Sequence, residues 1–329
     1  MKWILLSCYI LIFSLIFLSF TVSKSQAASF NVGIYPPVIS VTAKPPTSLT
    51  TPITIVNQND QEVAGTIAFR LFTPGSYENG QLIYLPSSTV PAPDKAIFDR
   101  IKIAQDGLSV KDIVLAPKQA RKLNLEISLP KDEPLADYYF SIIFLSNTSI
   151  TSSNTSSTAV GGIATNVLLS VGPKGSAKAQ IVEFSSPSFL SQGPVPFILR
   201  VKNTGEHAIA PTGYILISNM FGQIIGKVNL LPVNILTNST RSIPDSSNSE
   251  AIASSNLFLP SIPVAIWPEK FLLGPYNSTV YLSLSDTGPV LKESTSFFAF
   301  PLKLLVLILG FIIITLLIIL RIKKKIKQS

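Results

Sequence analysis

The chain has 329 residues, 47% of them hydrophobic and only 13% charged, with 25 Pro, 17 Gly, one His and one Cys. A soluble globular protein carries about 25% charged residues, so part of this chain is not built for water, while its apolar content excludes intrinsic disorder. One His and one Cys exclude His/Cys zinc sites, a CxxC redox motif and any disulfide within the chain.

The N-terminus reads as a secretory signal over residues 1–27. Lys2 is followed by an apolar run over 4–20, and Ser25 and Ala27 are the small residues expected before a cleavage point. An uncleaved signal anchor is the alternative. Cys8 lies inside the apolar run, so cleavage leaves a mature chain without cysteine.

From residue 28 to 296 no stretch passes the i, i+3, i+4, i+7 test for an amphipathic helix. Short β-branched and aromatic runs appear instead, broken by Pro, Gly, Asn and Ser, as in all-β sandwiches. The clearest cover residues 38–43, 53–56, 65–72, 97–103, 122–128, 138–145, 164–171, 179–184, 197–202, 214–218, 271–273 and 279–285. Alternation is clean in Leu123-Asn124-Leu125-Glu126-Ile127-Ser128-Leu129, with one dry and one wet face. Twelve or so strands over this length suit two Ig-like sandwiches in tandem, 28–172 and 179–287, with 173–178 as linker. A hairpin tip inside the second domain is the alternative reading of the Gly-Pro-rich turn at 172–177. Asn57 and Asn203 each close a strand before an Asn- or Gly-bearing turn, a weak internal echo. Segments 146–158 and 237–256 are Ser/Asn-rich loops holding three of four N-x-S/T sequons, and 288–296 reads as a polar stalk.

The C-terminus reads as a transmembrane helix over 297–320 and a basic cytoplasmic tail over 321–329. Residues 304–320 carry no charge, and about 20 apolar residues cross a bilayer core. Lys303 marks the outer boundary, and Arg321, Lys323, Lys324, Lys325 and Lys327 place the tail inside. These anchoring cations and the two lysines of the leader account for the whole net charge of +8, so the exported part is neutral. The basic balance reports targeting and anchoring, not nucleic-acid binding. The expected partner at this end is the lipid bilayer, crossed once with the N-terminus outside.

Chemistry is sparse. His207 sits in an expected solvated turn with no second His to complete a nucleophile–base pair. Asp132, Glu133 and Asp137 offer too few oxygens for Ca²⁺. No G-x-S-x-G or P-loop occurs in context. The chain is therefore read as a non-enzyme without cofactor or metal. Exposed aromatics Tyr35, Trp267 and Tyr276 are the candidate partner-binding residues, although a Trp beside Pro also suits the closed end of a sandwich. Arg121, Lys122 and Arg200 are candidate basic residues between the domains.

Leu115-Ala116-Pro117 to Leu123, then Leu129-Pro130 and Asp137-Tyr138-Tyr139-Phe140-Ser141-Ile142-Ile143-Phe144, resemble the end of the first domain of bacterial WxL-interacting surface proteins. Val201-Lys202-Asn203-Thr204-Gly205, Pro211-Thr212-Gly213-Tyr214-Ile215 and Gly274-Pro275-Tyr276 look like parts of the second. Asp137 stands where that pattern often has Gly, and the 237–256 insertion is atypical. The resemblance implies a PapD-like first domain, a bacterial cell surface, and contact with peptidoglycan or a neighbouring surface protein. The reading is a membrane-anchored binding or scaffold protein. Its rival is a membrane-tethered PapD-like assembly chaperone acting by strand complementation; a membrane-bound hydrolase is a remote third.

Overall fold

The computed structural model describes residues 30–326 apart from 77, 87–95, 148–149, 152–157, 160, 174–176, 249–263 and 286–287. The leader, Cys8 and Lys327 lie outside the described residues, as do parts of the linker and of the 237–256 loop.

The first sandwich contains β1 (Val32–Tyr35), β2 (Val38–Ala43), β3 (Thr47–Asn57), β4 (Val63–Pro74), β5 (Leu82–Tyr84), β6 (Ile101–Gln105), β7 (Leu108–Ser109), β8 (Asp112–Leu115), β9 (Ala120–Leu129), β10 (Asp137–Ser146), β11 (Ile150–Thr151), β12 (Thr158–Ala159) and β13 (Gly162–Val171). One sheet runs β1-β3-β9-β6-β7. The other runs β2-β13-β10-β4-β5, with β8 also on β4. The alternation read in β9 holds: Leu123, Leu125, Ile127 and Leu129 are buried, and the residues between them are not. β10 is the central strand, with Tyr138, Phe140, Ile142 and Phe144 in the core.

The second sandwich contains β14 (Ala179–Ser185), β15 (Phe189–Leu190), β16 (Val195–Asn203), β17 (Thr212–Asn219), β18 (Ile224–Asn229), β19 (Thr240–Ser242), β20 (Ala265–Trp267), β21 (Gly274–Ser283) and β22 (Val290–Ala299). Its sheets run β14-β16-β19, with β20 also on β16, and β15-β22-β21-β17-β18. It has its own core, centred on Phe197, Leu199, Ile215, Ile217, Val280 and Leu282.

The echo at Asn57 and Asn203 is a shared device. Both side chains are fully buried. Asn57 Nδ2 donates to the carbonyls of Gln61 (2.8 Å) and Leu115 (3.1 Å), and its Oδ1 accepts from the Asn59 amide at 2.9 Å. Asn203 Nδ2 donates to His207 (2.8 Å) and Ile235 (3.0 Å), and its Oδ1 accepts from the Gly205 amide at 2.9 Å. Each amide fixes the turn after its strand and ties it to another segment of the same sandwich, satisfying buried backbone groups that water does not reach.

The expected stalk over 288–296 is corrected: Val290–Ala299 pairs with β21 along its whole length. Its middle is polar on both faces, so its identity comes from the backbone ladder and not from burial. The expected start of the helix at 297 moves with it. Phe297 is buried in the second core, stacked on Tyr276 at 5.0 Å. The expected strand 271–273 is instead a loop leading into β21, with Leu272 buried.

Helix α1 (Leu302–Ile326) follows β22 after two residues. It continues through Arg321 and Lys323 to Lys325, so most of the expected tail is helical. Its described apolar side chains are exposed, so it leaves the sandwiches without packing on them. Among the described residues no helix is long and apolar enough to cross a membrane.

Candidate functional site: the seam and the open edge

Two features distinguish this molecule from a pair of closed sandwiches. The first is the seam between them. Asp137 opens β10, and its carboxylate is almost fully buried. Asp137 Oδ1 meets His207 Nδ1 at 2.7 Å, while Oδ2 accepts from the Ala208 amide at 2.9 Å and the Tyr139 hydroxyl at 2.7 Å. The Tyr139 hydroxyl also meets Thr237 Oγ1 at 2.9 Å. Burial, and the Asp137 carboxylate beside it, push the Tyr139 phenol above its ordinary value, so it stays protonated. Phe72, Leu168 and Leu236 form a small apolar cluster beside this network. His207 is thus not the solvated turn residue expected; a turn in one sandwich delivers it to the other.

Arg200, on β16, makes the second contact. Its guanidinium is bidentate on Glu78 of the first sandwich and meets Glu183 Oε2 at 3.1 Å. Both carboxylates hold it firmly charged, Glu78 most strongly. The Ser185 hydroxyl, and then Arg200, hold the Glu183 carboxyl below its ordinary range. The Ser242 amide donates to the Glu78 carbonyl at 2.8 Å. Arg241 lies in a shallow cleft lined by Pro74, Gly80, Leu82, Asn234 and Leu236. Burial lowers its pKa, and Nη1 donates to the Asn234 carbonyl at 2.6 Å. A Cβ at Gly80, which has φ +89°, would meet the Arg241 guanidinium at 2.3 Å, so this turn needs glycine for its backbone and for the approach.

The second feature is an open sheet edge. β13 pairs with β10 from Gly162, but with β2 only from Asn166 onward. The Asn166 amide points toward β2, donating to the Pro37 carbonyl at 3.1 Å. Residues two apart share a direction in a strand, so the amides of Gly162 and Ala164 point the same way. Among the described residues no strand pairs with them there, although β1 passes close to β13 before it joins the other sheet. Beyond this point β11 and β12 continue the β10–β13 hairpin past the sandwich. The remaining length of that edge is covered by β2, which prolines flank on both sides.

The other expected site residues are scattered. Tyr35 ends β1 and is half-exposed. Arg121 spans to Gln105 (2.7 Å) and the Val114 carbonyl (3.3 Å) within the first sandwich, and Lys122 is exposed on β9. Of the three expected basic residues, Arg200 alone has a described bond across the seam, and it is neutralised there. Trp267 and Tyr276 are corrected: both are buried, packed edge to face at 6.0 Å, and the Tyr276 hydroxyl accepts from the Leu273 amide at 2.9 Å. They close the end of the second core and offer no stacking surface. Lys303 reaches Gln192 Oε1 at 3.5 Å. Glu133, considered for Ca²⁺, binds Arg100 at 3.0 Å. Among the described residues no cluster of three or more His, Cys, Asp or Glu is placed to hold a metal.

No family model matches the sequence, and no curated protein matches it. Solved structures do. The class 5 fimbriae chaperone CfaA aligns at 11% identity and a TM-score of 0.35, over 80% of this chain and 99% of its own. The E. coli chaperone DraB aligns at 12% and 0.33, over 82% and 96%. The Salmonella enterica complex of SafA pilin with the SafB chaperone gives a match at 9% and 0.34, over 82% and 97%. Likeness of this order carries no functional argument; the β-sandwich assignment rests on the sheets themselves. The WxL-interacting family has no support beyond the resemblance in the sequence.

Proposed function

We propose that this chain is a membrane-anchored bacterial surface protein, not an enzyme, that binds an extended segment of a partner surface protein by strand addition. The observation that carries the reading is the open stretch of β13, where the Gly162 and Ala164 amides face away from β10 and no described strand pairs with them. An unpaired edge is a template for another strand, and strand addition gives affinity through main-chain hydrogen bonds. Burial of Trp267 and Tyr276 removes two of the three aromatic platforms that a glycan would stack on, which favours protein over peptidoglycan. The seam supports the same reading, because a fixed angle between sandwiches presents one edge in one direction.

The anchor is part of the proposal. A helix of 25 residues is about 37 Å long, and its sequence from 304 to 320 has no charge. Arg321 and the following lysines put its C-terminal end in the cytoplasm, with the sandwiches outside.

The test replaces Gly162 by a photo-crosslinking residue in the full-length protein in its own cells. The expected result is one discrete protein adduct, lost when Ala164→Pro removes an outward amide while leaving the β10 ladder intact. Retention on protein-free cell wall, with no adduct, would replace this reading by the glycan-binding one.

A further inference from the structure

The register of the second sandwich places a set of exposed apolar side chains at the end from which α1 departs. Asn219 of β17 pairs with Tyr276 of β21, which pairs with Phe297 of β22, so these three residues share one rung. Two residues onward lie Phe221 on the β17–β18 tip, Gly274, and Ala299 just before the helix. Adjacent strands stand about 4.8 Å apart, which puts the tip roughly 10 Å to the side of β22. The tip therefore sits level with the last residues before α1. Met220, Phe221, Ile224, Phe271 and Leu273 are all more than half exposed, Phe221 at 78%. On the other side of β22, β15 runs parallel to its last residues, and the half-exposed rings of Phe189 and Phe298 stack at 6.2 Å.

The tip is held ready. Asn219 Oδ1 accepts from the amides of Phe221 (3.0 Å) and Gln223 (3.1 Å), and Asn219 Nδ2 donates to Gln223 Oε1 at 3.0 Å. Gly222 supplies the left-handed residue of the turn, with φ +78°. A large exposed ring on a pinned turn has no use in water, where it gains nothing from order. Lys303 and Lys270 are at the same end: Lys303 bonds to Gln192, and the Lys270 carbonyl accepts from the Gly193 amide at 3.1 Å.

We infer that this end of the second sandwich is a lipid-contacting rim, in which Met220, Phe221, Phe271 and Leu273 enter the outer interfacial layer of the bilayer beside the root of α1. The inference rests on the proposal that α1 spans the membrane. The argument for lipid is continuity. If 304–320 fills the hydrocarbon core, about 26 Å long at 1.5 Å per residue, with Lys303 at its outer boundary, the rung of Phe221 falls in the headgroup layer. Aromatic side chains with cations beside them suit that layer. With the helix on one side and the rim on the other, the sandwiches are held in one orientation on the membrane rather than swinging from a single strand.

The test labels full-length protein with an environment-sensitive fluorophore at one engineered cysteine, in a Cys8→Ser background, after reconstitution into phosphatidylcholine–phosphatidylglycerol vesicles. The positions are Phe221→Cys, Phe311→Cys in the helix, and Val290→Cys at the opposite end of β22. Lipids brominated near the headgroup or deep in the chain serve as quenchers. The expected result is strong deep quenching at 311, at least threefold greater shallow than deep quenching at 221, and none at 290. Quenching at 311 with a label at 221 as unquenched as at 290 would overturn the rim and leave the anchor standing. No quenching at 311 or 221 would overturn the anchor and the rim together. All three sites are exposed, so the substitutions leave the fold intact.

Discussion

Replacing Asp137 by Ala tests the seam. The carboxylate is 5% exposed and takes four hydrogen bonds, three of them from His207, Ala208 and, at 3.5 Å, the Thr237 hydroxyl of the other sandwich. His207 is 19% exposed and can turn toward water. Tyr139 keeps Thr237. The Ala208 amide has no described alternative acceptor and would be left dry. A buried donor left unsatisfied costs about 1–3 kcal/mol, and a lost hydrogen bond to a charged group about 1.5–3. Partial recovery by Tyr139 and His207 brings the sum to about 2–4 kcal/mol. For a sandwich of this size that is roughly 5–10 °C in the unfolding midpoint. The assay is calorimetry of the full-length protein in detergent, with a double-mutant cycle against His207→Ala. A single transition should split into two as the sandwiches lose their coupling, with a cycle energy above about 1 kcal/mol. An unchanged midpoint, or a cycle energy near zero, would refute the account of the seam.

A soluble chain ending at 296 loses Phe297 and the last rungs of β22, and should be less stable than one ending at 301 by at least the ~3–5 kcal/mol of a Phe→Ala core change; equal melting temperatures would count against the corrected boundary. Asn57→Ala and Asn203→Ala should each cost about 2–4 kcal/mol, since each strands buried backbone groups on two segments, and urea unfolding of the two variants should show separate sandwiches affected. Leu125→Asp should unfold the first sandwich outright, because an unpaired carboxylate then faces a dry core; a native circular dichroism spectrum would contradict this. The Glu183 carboxyl is lowered in the folded state, so its contribution is present above the unfolded carboxylate value of about 4.3 and is lost as pH falls through the lower folded one. Ser185→Ala removes the main cause of that shift and should flatten the fall in stability between pH 5 and 3. The effect is small and weakened by salt, since Glu183 is more than a third exposed.

Much of the fold was legible because burial and period coincide in its strands. β2 was read to the residue, and β9 and β10 to within two, since their dry faces alternate or their cores are continuous. β22 escaped because its central residues are polar on both faces and only its ladder with β21 makes it a strand. β1 and β18 escaped for related reasons: one is four residues long, and the other has a single buried side chain. The end of β22 was mistaken for membrane because Phe297, Phe298 and Phe300 look alike in sequence, while the structure sends the first into a core. The seam was not legible at all. Asp137 and His207 lie 70 positions apart, and nothing local marks either as meeting the other. The neutralisation of Arg200 by Glu78 of the first sandwich and Glu183 of its own depends on a turn no periodicity describes.

The central claim is that the outward edge of β13 is where a partner strand binds. Amide hydrogen exchange over residues 161–166, measured on the full-length protein purified in detergent and on the same protein in its native membranes, tests it most directly. The account predicts fast exchange at Gly162 and Ala164 in the purified protein and at least tenfold slower exchange in membranes, with Ile163 slow in both because it faces β10. Equal rates at Gly162 and Ala164 in the two preparations would contradict it.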